Sequence, residues 1–436
     1  MSLDVGGDFQ PHSIAKGVRL HLRSTQIFKT VRVDLFVHSL LQPLNNTRLA
    51  LVARLLERGT RDLPDLRRLN QFVDDLYGAI FAAEVDQFGD RQVVHLTLEL
   101  PDARFLPEGD DLLAPGLEFL RDVLRYPFEE NAGFPPTVLA GEKHALEQHI
   151  ASHFDDRMVL VLHRCIREMC PGEPYSLCVL GDPGDFPRIG AADLFDFHHR
   201  TLAQNPIDIY ITGAVASERL TGIVSDLFSW DRQALAPLSP RPGGMALTSS
   251  EPKEVMESIA GMHQGKLAMG FRTAVGLADE AYPALLLLDF LLGGDAHSRL
   301  YRTVRERLGL CYHVGSFLEP LCKLMFVEAG VELQDYSRFL SQVRNQIHSI
   351  CDTGPQQEEL DRARALAIRR LWSMPDDREG MVGFSYQRAL AGATGSRALV
   401  EENLGRVTIR QVQDVAQGLV LDTVYFLHGQ RSGQQA

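Results

Sequence analysis

Leu49 to Thr60 reads LALVARLLERGT and is followed, from Leu66, by LRRLNQFVDDLYGAIFAAE; far along the chain, Tyr282 to Gly294 reads YPALLLLDFLLGG and is followed, from Ser298, by SRLYRTVRERLGLCYHVGS. Each pair reads as a helix ending at glycine and then a second helix ending near Gly78 or Gly309. After each pair comes an alternating apolar stretch, VVHLTLEL at Val93–Leu100 and MFVEAGVEL at Met325–Leu333, with the two-residue period of a half-buried strand. Each copy also closes alike. Ile189 to Gly213 and Val407 to Gly429 both run helix, short turn and an apolar strand ending in glycine, IDIYITG and TVYFLHG. The same pieces in the same order are the signature of an internal duplication at low identity.

Working outward, Pro136 to Cys170 reads as one long helical segment striped by Leu139, Leu146, Ile150, Met158, Val161, Leu162 and Ile166, with Gln356 to Trp372 as its counterpart. Strands drawn from distant parts of a half meet in one sheet only if helices pack on a face. The expected fold class is therefore α+β: two duplicated halves, each a mixed, mostly antiparallel sheet with helices on one face. Between the halves, Ala236 to Lys253 (APLSPRPGGMALTSSEPK) has no helical or strand period and reads as a linker, which divides the chain into 1–235, 236–253 and 254–436.

The 436 residues carry 44 Lys plus Arg against 57 Asp plus Glu, a formal charge of −13, with no stretch dense in basic residues. Nucleic-acid binding rests on cations displacing counterions, so no nucleic-acid partner is expected. Asp4, Asp8, His12 and Lys16 interrupt any apolar leader in the first residues, and the longest apolar run, Ala284 to Leu292, is broken by Asp289. These features lead to an expectation of a cytoplasmic chain with no membrane span. The six cysteines form no C-x-x-C pair and read as reduced thiols.

Among chemistry-bearing clusters, the Lys143–His153 helix carries His144, Glu147, His149 and His153. His144 with Glu147, and His149 with His153, have same-face helical spacing, but His144 and His149 stand about 140° apart on the helix. A polar helix face is the simpler reading, with an atypical metal site as the alternative. His198-His199 reads as a helix-end cap and Gly293-Gly294 as a turn before Ser298; no serine or cysteine nucleophile motif occurs. One pair remains. Arg305 ends the helix Ser298 to Leu308, Gly309 stops it, and Tyr312 follows where a strand begins. A guanidinium and a phenol aimed at one point can hydrogen-bond a peptide carbonyl, and hold it more tightly as a tetrahedral oxyanion.

Leu292 to Ser316 (LGGDAHSRLYRTVRERLGLCYHVGS) resembles the carboxy-terminal signature of the pitrilysin, or insulinase-like, zinc peptidases of the mitochondrial-processing-peptidase type. The resemblance extends over nearly the whole chain: the duplicated halves, the linker, Asp155-Asp156 on the long helix, and Pro174-Tyr175 followed by Gly181. It implies that Arg305 and Tyr312, with the family's spacing of six intervening residues, help bind substrate at a zinc centre held by the other half. The departure is equally specific. Active members carry H-x-x-E-H shortly before a Gly-Thr. Counting back from Gly59-Thr60, the two histidine positions fall on Ala50 and Arg54, and the glutamate base falls on Ala53. The third ligand position falls on about His149, and Glu142 keeps an acidic position seven residues earlier.

With those groups gone, no cofactor is expected in this chain, and zinc is expected in a partner. The resemblance then implies the zinc-less, substrate-binding subunit of a heterodimeric metallopeptidase, inactive alone. It would supply Arg305 and Tyr312 in trans to a homologous zinc-bearing subunit that cleaves peptides. The alternative is a non-enzymatic scaffold or peptide-binding module of the same fold. Without its partner the chain is expected to be able to form a homodimer.

Overall fold

The computed structural model describes residues 8–107, 111–230, 232 and 251–429; of the expected linker, 236–250 lies outside the described residues. In chain order the elements are β1 (Gln10–Ala15), β2 (Val18–Ser24), β3 (Thr30–Leu40), α1 (Asn45–Leu56), α2 (Leu66–Asp75), β4 (Ile80–Phe88) and β5 (Arg91–Pro101). They continue with α3 (Leu113–Arg125), α4 (Pro136–His153), α5 (Arg157–Met169), α6 (Ala191–Gln204), β6 (Ile207–Gly213) and α7 (Ser217–Phe228). The second half runs β7 (Lys253–Ile259), β8 (Gly265–Arg272), α8 (Tyr282–Leu292), β9 (Cys311–Glu319), β10 (Leu324–Val331), α9 (Tyr336–Thr353), α10 (Gln357–Ser373), α11 (Arg378–Ala391), α12 (Arg397–Arg406), α13 (Ile409–Gln417) and β11 (Val420–Gly429).

Two sheets result, ordered β1-β2-β6-β3-β5-β4 and β7-β11-β8-β10-β9. Apart from β1, they share one plan. In each, the strand that closes the half, β6 or β11, runs parallel to one neighbour, β2 or β7, and antiparallel to the other, β3 or β8, and every further pairing is antiparallel. The duplication read in the sequence is thus a duplication of topology, and the fold is α+β with mixed, mostly antiparallel sheets.

Alternation along β5 explains the first sheet. Leu96 is paired in register with Leu35 of β3, and Leu35 with Ile209 of β6 and onward to Leu20 of β2, so one face presents a continuous apolar ladder. A second ladder runs Leu98, Val33, Ile211 and Leu22. All of these side chains are at most 3 % exposed. At about 25 cal/mol per Å² of apolar area removed from water, these ladders against the helices are the main drive for assembly. Helices α1 and α3 cover that face across β5, and α7 covers it across β1 and β2. A Cβ on Gly116 of α3 would stand 2.7 Å from Leu100, a measure of how closely α3 lies on the sheet.

Two compact units form, and each takes a segment from the other half of the sequence. One comprises the chain up to Ala151, a stretch beginning at Leu177, and Pro375–Ser385; the other includes Ser152–Ser176, β7 through Met374, and Tyr386 onward. In the second unit, α13 packs against both α8 and α9, and Phe339, Leu340 and Val343 of α9 cover one face of the sheet. The face bearing Ala268, Tyr425 and Phe326 is covered by α5 through Leu160, Val161, Cys165 and Met169. A Cβ on Gly270 would meet Met169 Sδ at 2.5 Å. Buried Arg272 pins the end of this segment, pairing with Glu173 at 2.9 Å and Asp422 at 2.8 Å. In the first unit, Arg378 correspondingly donates to Thr30 and Glu99.

Three local expectations are corrected. The segment Pro136–Cys170 is two helices, broken at Asp155-Asp156, where the Asp156 carboxylate accepts the Met158 amide at 2.8 Å and caps α5. The helix expected over Ser298–Leu308 contains a π-helical turn at Tyr301–Arg307, closed by Gly309 at φ 61°. His198 is no end cap: it lies inside α6, 3 % exposed, its Nε2 bonding the Leu124 carbonyl at 2.7 Å.

Candidate functional site

The motif positions lie on α1, whose apolar residues seat it against β4 and β5. Ala50 and Ala53 are 2 % and 1 % exposed and offer only methyl groups. On the same face, one turn beyond Ala50, Arg54 Nε donates to Glu142 Oε2 of α4 at 2.8 Å. Arg58, another turn on, brings its Nε to 2.6 Å from Glu142 Oε1, but at an angle too poor for a hydrogen bond, so this contact is an ion pair only. Glu142 is 7 % exposed. His149 sits seven residues, about two helical turns, beyond Glu142 and is exposed.

This donor set does not fit a zinc ion. Two ligand positions and the base carry no lone pair to give, and the acidic neighbour is taken by two fixed cations. An ion-paired bridge between α1 and α4 stands where the metal chemistry of the family would be built. The alternative cluster is not gathered either. His144 contacts Gln148 Nε2 at 3.0 Å, and His153 packs edge-on against Phe154. Among the described residues no group of three His, Cys, Asp or Glu able to hold a metal ion is assembled.

Arg305 and Tyr312 belong to the second unit. The π-helical turn carries Arg305, whose guanidinium lies over the Tyr301 ring at 4.5 Å from its centroid. Tyr312 is the second residue of β9, the outer strand of its sheet, and is 67 % exposed. Cys311 lies between them: burial pushes its thiol up to about 11, while the Arg305 charge pulls the other way. No hydrogen bond joins the Arg305 and Tyr312 side chains to each other or to another group among the described residues. Arg305 thus sits half-buried inside the π turn, and Tyr312 lies seven residues on at the start of β9.

Several polar features escaped the sequence reading. On the other face of the first sheet, buried Asp208 accepts from Arg19 at 2.8 Å and meets His21 Nε2 and His38 Nε2, each at 2.7 Å. Burial opposes its charge, but these partners hold the Asp208 carboxyl well below the usual range. A second cluster joins Arg32, Asp34, His95 and Asp86. The signal was present as the polar partners in alternating strands, with cross-strand register needed to join them. On the outer strand β4, the Ala83 amide donates to Glu57, the residue that ends α1, at 2.9 Å.

Two copies of one α+β plan, with an ion-paired arginine on the motif helix, define a metallopeptidase-like fold whose motif helix lacks the family's zinc ligands. The family model described as "Peptidase M16 inactive domain" matches residues 188–366. A Bacillus subtilis protein named "Probable inactive metalloprotease YmfF" is 30 % identical over 416 residues, covering 95 % of this chain and 96 % of that one. The chain therefore belongs to the M16, or pitrilysin-type, metallopeptidase family. The fold is shared with a conserved protein of Enterococcus faecalis V583 (TM-score 0.88, 22 % identity, covering 98 % of this chain and 100 % of that one). It is also shared with a peptidase M16 inactive domain from Pseudomonas fluorescens (TM-score 0.75, 20 % identity, 97 % and 98 %). Among the described residues no helix is long and apolar enough to cross a membrane.

Proposed function

We propose that this chain is the substrate-binding subunit of a two-chain metallopeptidase, acting with a homologous subunit that carries H-x-x-E-H and the zinc. The observation that carries the reading is the contrast between the two halves. The motif helix carries an Arg54–Glu142 pair in place of the family's ligands, whereas Tyr312 stands 67 % exposed at the start of an outer strand and Arg305 stacks on Tyr301 in the turn before it. A phenol this exposed contributes little to the core of its own unit. In trans, the two donors bind a peptide carbonyl and strengthen their hold as negative charge develops on its oxygen. The partner supplies the activated water and its base. The peptide lies extended along a sheet edge, where backbone hydrogen bonds give affinity with little demand on sequence.

The test mixes this chain with a zinc-bearing M16 chain and assays a peptide library. Turnover is expected only in the mixture, with Arg305→Ala and Tyr312→Phe each lowering it by about 10². Unchanged turnover in both variants refutes the catalytic contribution. Saturable peptide binding by this chain with no turnover in any mixture favours a peptide-binding module instead.

A further inference from the structure

A cleft of about 300 Å³ opens in the first unit where the ends of α3 and α6 meet the residues after α7. Its chemistry is unlike the rest of this acidic chain. The Arg61 and Arg125 guanidiniums both lie on the Tyr126 ring, at 4.6 and 5.6 Å from its centroid, and Arg125 also lies over Trp230 at 5.0 Å. Neither arginine has a carboxylate within ion-pair distance among the described residues. Stacking occupies the faces of a guanidinium and leaves its in-plane N–H edge for a planar or tetrahedral anion. The wall opposite is apolar, with Phe195 set edge-on against the His199 ring at 4.5 Å. Burial lowers the His199 pKa, which favours the neutral ring and a hydrogen bond over a charge. Among the described lining residues Glu129 carries the carboxylate, set against the two arginines.

From these groups we infer a binding site for a small organic anion, a carboxylate or phosphate carried on an aromatic body. The anion lies against Arg61 and Arg125, and the body packs on Trp230 and Phe195. The volume is at the lower end for ligand pockets, which suits a single ring and excludes a dinucleotide. The inference uses none of the residues of the proposed peptidase role, so either can fail alone.

Trp230 lines the cleft and is one of two tryptophans in the chain, so Trp372→Phe leaves it as the sole reporter. Titrating that full-length variant with phenyl phosphate and with benzoate should quench its fluorescence saturably below about 10 mM. The tighter probe tells phosphate from carboxylate, and inorganic phosphate alone should bind at least about ten-fold more weakly because it lacks the ring. Arg61→Ala, at an exposed position, should weaken binding by about ten-fold or more, and Arg61→Lys by less. Arg125→Ala should weaken it similarly in protein of unchanged circular dichroism. No saturable response to either aromatic probe, or equal affinity in Arg61→Ala, overturns the site.

Discussion

Replacing Glu142 by glutamine removes one negative charge while keeping its volume and its place on α4. The wild-type carboxylate is 7 % exposed, accepts a 2.8 Å hydrogen bond from Arg54 and neutralises Arg58 at 2.6 Å. Breaking a fully buried pair costs about 3–5 kcal/mol, and an exposed one about 0–1. Here the two arginine side chains keep 26 % and 31 % exposure, so water takes back part of their charge once the carboxylate is gone. Only Arg54 makes a true hydrogen bond. The expected loss is about 2 kcal/mol, which at a slope of about 2 kcal/mol per M lowers the urea midpoint of the first unit by about 1 M. The assay is urea unfolding followed by far-ultraviolet circular dichroism, fitted with separate transitions for the two units. The Glu142→Gln/Arg54→Ala double variant should lose less than the sum of the two singles, by a coupling of about 1 kcal/mol. A Glu142→Gln protein within about 0.5 kcal/mol of wild type would refute the view that this ion pair has replaced the metal as the tie between α1 and α4.

Other outcomes follow from the same coordinates. Protein washed with chelator and reloaded with zinc should retain no stoichiometric metal, with His149→Ala indistinguishable from wild type; zinc bound and lost in that variant would refute the donor-set argument. His95 is opposed by burial, but its hydrogen bonds to Asp34 and Asp86 win and push it up to about 9. A raised pKa means stability present in full below the unfolded value of about 6.5 and lost as pH rises through 9, about 3 kcal/mol in all. Unfolding midpoints at pH 7 and about 9.5 should therefore differ in wild type and converge in His95→Gln. Gly181 has φ 86°, and a Cβ there would stand 2.5 Å from Thr47 Cα on α1. Gly181→Ala should thus cost more than about 3 kcal/mol in the same urea assay, and a neutral effect would mean that this loop does not press on the motif helix.

Local periodicity carried far into this protein. The alternation of Val93–Leu100 became a two-faced strand because the side-chain period of a strand is two, whatever lies nearby. The helix of Leu49–Leu56 and its glycine stop were equally readable. The break at Asp155-Asp156 was not, because the apolar stripe continues through both helices and an aspartate can either cap or decorate a helix. The π turn under Arg305 was also invisible: a shift from four- to five-residue hydrogen bonding alters no residue pattern.

By itself, the sequence determined the duplication, the α+β class, the loss of the zinc ligands at Ala50 and Arg54, and the candidate pair Arg305 and Tyr312. The first two follow from residue identity and near-neighbour spacing, the last two from the family resemblance those residues carry. Only the tertiary structure decided that Arg54 is bound to Glu142, that Tyr312 stands exposed on an outer strand, and that α5 covers a sheet built from the other half of the sequence. An apolar stripe records that a helix face will be buried, but the surface that buries it is chosen by contacts between residues about a hundred positions apart, Cys165 against Ala268 among them.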